Sequence, residues 1–549
     1  MLSNPLLTLR YRVDGKDVAY TPDNGIVSLQ DARDGKRRTI MLTTTRPLTD
    51  VRLRIDYACA FQAETKFFAN GFQTWTDSKE FCAQDRMVGL KWHSKRIPNW
   101  GASGDYKLCD YSRKKGVFHS FSYCYLRDGN RFRLLGSLSE RNGYTIFEAD
   151  YNNRAFALRK DLEGVTIADS YTLLDLWDDE GSYDNVFDAY FAAMDIAKPL
   201  MRHSTGYTSW YNYYTNISQE IIENDLRAFA ESDIKIDIFQ IDDGYQTKVG
   251  DWTSLKDCFP DGMRRIADKI HEYGAKAGLW LAPFGCHKDS VVKREHPEWL
   301  LCTPDGAPLS AGLNWGGFYT LDMYKPGVRE HLRKVFDTVL DEWGFDMVKL
   351  DFLYQQAMIP RDGKSRGQIM CEAMDFLREC CKDKLILGCG VPMAPAFGKV
   401  DYCRTGADVA LKWPDNMFDR ACGRERVSTP NGVNNSVFRR HLDGRAFVND
   451  PDVYFLRDYN IRMSDDRKHL LATINKLCGN LLFVSDDVGL YTDDKQKIFR
   501  NMLRDDDIRV TDARYLTRNE LCIEYLFNGA AKRLVFDIRN GKKIEGELI

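Results

Sequence analysis

The chain has 549 residues, room for about three or four domains, and its 44% apolar and 29% charged content excludes long disorder and fibrous repeats. Its 77 Lys and Arg against 80 Asp and Glu give a net charge of −3, so no basic nucleic-acid surface is expected. No stretch of 18 or more apolar residues occurs, which argues against a transmembrane helix and a membrane partner.

Met1 to Gly15 lacks a basic segment followed by an apolar one, so no secretory signal is read there. The 15 cysteines are an odd number, are scattered, and never take a C-x-x-C spacing. Cys380 and Cys381 are adjacent, which suits neither a simple disulfide nor a zinc knuckle. A reduced cytoplasmic protein with buried free thiols is expected. His271-Glu272 starts an H-E-x-x-H motif, but Ala275 breaks it, and no metal site is expected.

The first third reads as β structure. Val51–Tyr57, Gly116–Tyr125, Phe132–Leu138 and Ala155–Leu162 are short, rich in Val, Ile, Phe and Tyr, and punctuated by Gly, Asp and Asn. No long helical period interrupts them before about Val186, which predicts a β-sandwich over residues 1–195.

From about Arg202, apolar runs alternate with helical stretches. Ser204–Trp210, Ile236–Ile241, Lys276–Pro283, Met347–Phe352, Leu385–Cys389, Val400–Arg404, Arg445–Asn449 and Leu481–Ser485 are eight candidate strands. Candidate helices include one opening at Ser218, Met263–Tyr273, and Val328–Trp343 closed by Gly344. This predicts a (β/α)₈ TIM barrel over residues 196–505. A doubly wound sheet is the alternative, but the first strand runs into Ser209-Trp210-Tyr211-Asn212 without a Gly-rich phosphate turn. Residues 506–549 return to short β runs and predict a small antiparallel β-domain packed on the barrel.

A barrel's chemistry sits at the C-terminal ends of its strands. Those ends carry Trp210 and Tyr211, Asp242 and Asp243, Trp280, Lys349 and Asp351, Cys389, Arg404 with Asp408, Asp450, and Asp486 with Asp487. Carboxylates for acid/base work and flat rings for stacking suit carbohydrate chemistry. Lys349 and Asp351 share one face of their strand by the period of two. A neighbouring ammonium favours an ionised Asp351, a competent glycosyl nucleophile, while a salt bridge capping the barrel is the plainer reading. Asp242-Asp243-Gly244 reads as a turn, a pair of sugar-hydroxyl acceptors, or oxygen ligands for a metal. Asp408 suits a second, protonated carboxylate or a loop ion pair with Arg404. Trp75, Trp210 and Trp280 suit either stacking on a sugar or the core; Trp75 lies in a loop of the first domain.

These strings together resemble glycoside hydrolase family 36, the mainly microbial α-galactosidases. The resemblance rests on Asn70-Gly71-Phe72-Gln73-Thr74-Trp75, Ser209-Trp210-Tyr211, Phe239-Gln240-Ile241-Asp242-Asp243-Gly244-Tyr245, Gly278-Leu279-Trp280-Leu281-Ala282-Pro283-Phe284, Lys349-Leu350-Asp351-Phe352, Gly388-Cys389-Gly390 and Arg404-Thr405-Gly406-Ala407-Asp408. It implies a retaining exo-α-galactosidase acting on melibiose- or raffinose-type oligosaccharides without cofactor or metal. Asp351 is implied as nucleophile and Asp408 as acid and base. Asp242 and Asp243 are implied at the 4- and 6-hydroxyls and Lys349 at the 3- and 4-hydroxyls. Trp210, Tyr211 and Trp280 are implied around the −1 subsite, Cys389 and Arg404 near the 2-hydroxyl, and Trp75 over the pocket. Relatives in the family act on α-N-acetylgalactosaminides or transfer galactosyl groups, and a catalytically silent sugar-binding protein is the remoter alternative. Phe72 stands where the family usually has Trp, and the string around Asp408 lacks the Ser-Asp-Asp form of larger members. The resemblance carries no oligomeric state to this chain.

Overall fold

The computed structural model describes all residues except 1, 24, 63, 92–93 and 95–99. Two antiparallel sheets form the N-terminal sandwich, one of six and one of seven strands. Alternation does the local work: in Thr49–Cys59, Val51, Leu53, Ile55, Tyr57 and Cys59 point inward and the residues between them face outward. The expected single strand Gly116–Tyr125 is two strands in different sheets. Val117–Phe121 belongs to the six-stranded sheet and Tyr123–Asp128 to the seven-stranded one. The chain changes sheets at Ser122, whose φ is +66°.

Tyr123–Asp128 is buried on both faces. Cys124 and Leu126 enter the sandwich core, while Tyr123 and Tyr125 join the barrel core. There they meet helix Tyr183–Met194 through Phe187, with Tyr123–Phe187 and Tyr125–Phe187 ring centroids 6.3 and 6.1 Å apart. The sandwich and barrel are thus joined by an aromatic seam.

Eight parallel strands make the barrel: β1 Ser204–Thr208, β2 Ile238–Ile241, β3 Lys276–Leu281, β4 Met347–Leu350, β5 Leu385–Gly388, β6 Tyr402–Arg404, β7 Val448–Asp450 and β8 Leu481–Val484. Each is buried on both sides, as parallel strands covered by helices require. β7 pairs with β6, but a separate piece of the same strand, Val453–Tyr454, pairs with β8 and closes the ring. Pro451, which has no N–H, and Asp452, at φ +76°, interrupt it. The sequence expectation of Arg445–Asn449 for this strand therefore lies early. β1 also ends sooner than read, because Trp210–Tyr213 is already a turn of helix.

The helix over Gln219–Glu231 opens as expected: Ser218 Oγ accepts the Ile221 N–H. The helix Pro326–Phe336 continues as a π-helical turn, Asp337–Glu342, before Gly344. The C-terminal domain is a four-stranded antiparallel sheet from Ile508 to Glu545. Its Asp512 receives Arg127 of the sandwich at 2.8 Å, and its Tyr515 ring stacks on Phe438 of the barrel at 5.7 Å. No helix among the described residues is long and apolar enough to cross a membrane.

Candidate active site

The strand ends converge as the period-two reading requires. Trp280 of β3 is in register with Lys349 of β4, and Arg404 of β6 with Asp450 of β7. Asp351 follows β4 directly. Its Oδ2 accepts the Trp280 Nε1–H at 3.1 Å, and its Oδ1 accepts the Phe352 N–H at 2.8 Å. Burial raises the Asp351 pKa; the Lys349 ammonium opposes it, the Asp408 charge adds to it, and hydrogen bonds from Trp280 and Cys389 pull it back.

Lys349 does not bond Asp351. Its Nζ donates to Asp242 Oδ2 at 2.9 Å, across from β4 to the end of β2. Burial lowers the ammonium's pKa, but Asp242 and Asp351 outweigh it, and Lys349 stays charged. Asp242 Oδ2 also accepts from Gln240 at 2.7 Å, and its Oδ1 accepts the Asp243 N–H at 2.9 Å. Asp243 accepts from Gln246 at 2.6 Å and from Trp315 Nε1 at 2.7 Å. A carboxylate offers about four lone-pair sites, so Asp243 retains acceptor capacity toward a ligand. Gly244, at φ +131°, lets this turn lie against Thr215: a Cβ there would meet the Thr215 carbonyl oxygen at 2.8 Å.

Trp315 is a site residue that sequence reasoning missed. It stands in Leu313-Asn314-Trp315-Gly316-Gly317, at φ +55°, in the long excursion after β3. The Gly-Gly pair after a Trp was the available signal. Phe352, at φ +56°, directly follows Asp351 and is a second such residue. Its ring lies 5.0 Å from Trp315, 5.5 Å from Phe318 and 5.2 Å from Trp75. These rings form an aromatic wall beside Asp351.

Trp75 comes from the sandwich loop. Its Nε1 donates to Cys389 Sγ at 3.4 Å. Burial pushes the Cys389 thiol well up, so it stays neutral. Arg439, fully buried, clamps the loop: it donates to Asn70 Oδ1, to the carbonyls of Gly71, Gln73 and Thr74, and to that of Thr405 beyond β6. All five acceptors are uncharged, and burial pulls the Arg439 pKa down to about 10.

Arg404 is 2% exposed at its side chain. One nitrogen, Nη2, reaches Asp408 Oδ1 at 3.1 Å and Asp452 Oδ2 at 2.8 Å. Asp408 itself is 34% exposed and open to the barrel mouth. Tyr211 is buried, and its hydroxyl donates to Asp452. Trp210, half-buried, packs edge-on against Tyr214 at 5.1 Å. Asp486 is spent structurally, accepting the Leu456 and Arg457 N–H groups.

Among the described residues, Asp105, Cys109 and His119 of the sandwich are the one group of His, Cys, Asp or Glu with ligand atoms within 4.8 Å of one another. His119 Nε2 is bonded to Asp105 Oδ2 at 2.8 Å, Tyr111 donates to Oδ1 at 2.5 Å, and Arg424 stands 3.8 Å away. A guanidinium beside an already satisfied carboxylate does not suit a cation. A polar cavity of about 360 Å³ lies at the opposite end of the barrel, lined by Asp443, Arg445, Lys476 and Arg504. Its charges are largely paired, as in Arg445–Asp184 and Lys476–Asp506.

A family model described as Melibiase matches residues 202–370. An enzyme of Flavonifractor plautii, "A type blood alpha-D-galactosamine galactosaminidase", is 28% identical over 191 residues, 32% of this chain and 17% of that one. Alpha-galactosidase Mel36A of Lactobacillus acidophilus is 29% identical over 138 residues, 24% of this chain and 18% of that one. The matched stretch thus spans less than a fifth of either curated relative. A solved structure of TtGalA, an alpha-galactosidase from Thermus thermophilus in complex with stachyose, superposes with a TM-score of 0.71 at 25% identity, over 90% of this chain and 99% of that one. Over residues 202–370 the chain is thus related to the Melibiase family, and over most of its length its fold is that of solved α-galactosidases.

Proposed function

We propose that this protein is a retaining exo-α-galactosidase that hydrolyses terminal α-D-galactosyl residues of raffinose- and melibiose-type oligosaccharides. The observation that carries this reading is the pair of carboxylates on separate strand ends: buried Asp351, within the field of Lys349, and mouth-facing Asp408, beside Arg404. Support for the substrate class comes from TtGalA, a relative of like extent that is described with stachyose.

Asp351 attacks C1 as the bond to the leaving oxygen breaks, and Asp408 gives its proton to that oxygen. Water then attacks C1, its proton passes to Asp408, and the bond from C1 to Asp351 breaks. Asp242 and Asp243 take the 4- and 6-hydroxyls and Lys349 the 3- and 4-hydroxyls. Trp280, Trp210 and Tyr211 surround the −1 subsite, Cys389 and Arg404 lie near the 2-hydroxyl, and Trp75 covers the pocket. A glucoside leaves a buried carboxylate oxygen unpaired, at a cost of about 1–3 kcal/mol or more.

Release of nitrophenol from p-nitrophenyl α-galactoside tests the activity, and NMR of the freshly released hexose tests retention. No release leaves a sugar-binding protein as the reading, and a β-configured first product removes the double displacement. Activity unchanged by EDTA is expected of a metal-free site. The Flavonifractor match favours a second reading, an α-galactosaminide substrate. The buried Arg404 cation near the 2-position argues against a 2-ammonium group, and a kinetic comparison of galactoside with galactosaminide decides. A cytoplasmic location is proposed on the 15 cysteines, all unpaired.

A further inference from the structure

We propose that Asp452 is a positioning residue for Asp408: it shares the Arg404 guanidinium with that carboxylate and pins the main chain just beyond it. This inference rests on the retaining-glycosidase reading above.

Asp452 sits in the break of β7, at φ +76°, a conformation disfavoured for residues other than glycine. The break is held from within. Asp452 N donates to Asp450 Oδ1 at 2.8 Å, and Asn475 Nδ2 donates to the Asp452 carbonyl at 3.0 Å. The effect is to turn one carboxylate oxygen, Oδ2, toward three donors. Arg404 Nη2 and the Val409 N–H each reach it at 2.8 Å, and the Tyr211 hydroxyl is the third.

Two of those donors lead to Asp408. Val409 is its neighbour in the chain, so the bond from Val409 N fixes the backbone that carries the acid. Ser428 N, donating to the Asp408 carbonyl at 3.0 Å, fixes it from the other side. Arg404 Nη2 touches both carboxylates, at 2.8 and 3.1 Å. Asp408 is 34% exposed at its side chain and Asp452 only 5%. Only the first can meet substrate; the second acts through Arg404 and Val409.

The charge logic follows. Arg404 of β6, Asp450 of β7, Tyr211 and Tyr214 after β1, Cys389 after β5, Lys349 of β4 and Asp351 just beyond it are the ionisable groups around this pair. A guanidinium paired with Asp408 alone would favour its anion, yet an acid catalyst must hold a proton. Burial, with the Asp408 and Asp450 charges, pushes the Asp452 carboxyl up to about 7 against the pull of Arg404 and the Tyr211 hydroxyl, so its charge is present on the alkaline side. An ionised Asp452 shares the Arg404 charge that Asp408 would otherwise hold alone. Once Asp408 has given the proton to the leaving oxygen, Arg404 is in place for the new anion.

The test is the pH profile of kcat/KM on melibiose for wild type and Asp452→Asn. The amide keeps the shape but not the charge, so Arg404 turns wholly to Asp408. The alkaline limb is expected to move down by about one pH unit, and kcat to fall about tenfold or more with KM little changed. Tyr211→Phe removes a donor and keeps the carboxylate; KM is free to change there because Tyr211 also surrounds the −1 subsite, but its limb should move less than that of Asp452→Asn. An unmoved limb in Asp452→Asn, or an equal shift in Tyr211→Phe, overturns the inference. If Asp452→Asn does not fold, Asp452→Glu, which retains the charge, is expected to lower kcat with the limb in place; a shifted limb there overturns it. A wild-type protein without α-galactoside cleavage removes the functional reading itself, whereas an active one with an unmoved limb removes only the role of Asp452.

Discussion

The Trp75 indole donates to the Cys389 thiol at 3.4 Å, joining two residues 314 positions apart and two domains in one pocket wall. The contact depends on Gly390. A Cβ there would stand 2.8 Å from Trp75 Cζ2 and 3.0 Å from Phe352 N, and Gly390 has φ +57°. Gly390→Ala should push the indole outward and raise KM for p-nitrophenyl α-galactoside about tenfold, with a smaller change in kcat. A shift in tryptophan fluorescence should accompany it. An unchanged KM would mean that Trp75 does not cover the substrate.

The two carboxylates should fail differently. Asp351→Ala should lower turnover at least about 10³-fold, and azide should restore it with a β-galactosyl azide as product. Asp408→Ala should spare activated aryl galactosides and damage melibiose far more, since only the poor leaving group needs its proton. Equal losses on both substrates would remove Asp408 as the acid.

Trp315 bonds Asp243, whose pKa burial already raises while Gln246 and Trp315 hold it down. Trp315→Phe keeps the ring and loses the donor. Loss of one hydrogen bond to a charged group, about 1.5–3 kcal/mol, should lower kcat/KM for galactosides roughly 10–150-fold. The acid limb should move to higher pH, because the carboxyl then protonates more readily. A profile identical to wild type would leave the Trp315–Asp243 bond without consequence.

Asp351 also carries a stability prediction of opposite sign to activity. Burial raises its folded pKa above the unfolded value. Between those two values the folded protein keeps a proton that the unfolded chain has released, so stability falls as pH rises through the window and stays lower above it. Asp351→Asn removes that penalty. Tm at neutral pH should rise by about 1–3 °C, and the difference should shrink below the ordinary carboxylate range. A lower Tm at neutral pH would count against an energetically costly Asp351.

The barrel and most of its mouth were legible because alternation and strand ends are local properties. Trp280, Lys349 and Asp351 follow from where an apolar run stops. Partnership was not legible: Lys349 sits two residues from Asp351 but bonds Asp242, 107 positions away, because β4 and β2, with β3 between them, turn those side chains into one barrel interior. Asp452 escaped because Pro451 splits its strand and disguises the register. Trp315 escaped because irregular loops have no period to read. Ser122 divided an apparently continuous run between two sheets through one backbone angle.

The Arg439 clamp fixes an order of events in synthesis. Asn70 is made 369 positions before the guanidinium that holds it. At about 5–20 residues per second, the sandwich loop waits roughly 20–70 s with its carbonyls turned to water. For the later part of that interval a finished sandwich and an unfinished barrel share one ribosome. The wall that Trp75 forms is therefore held only once residue 439, four fifths of the way along the chain, reaches back to its first sixth.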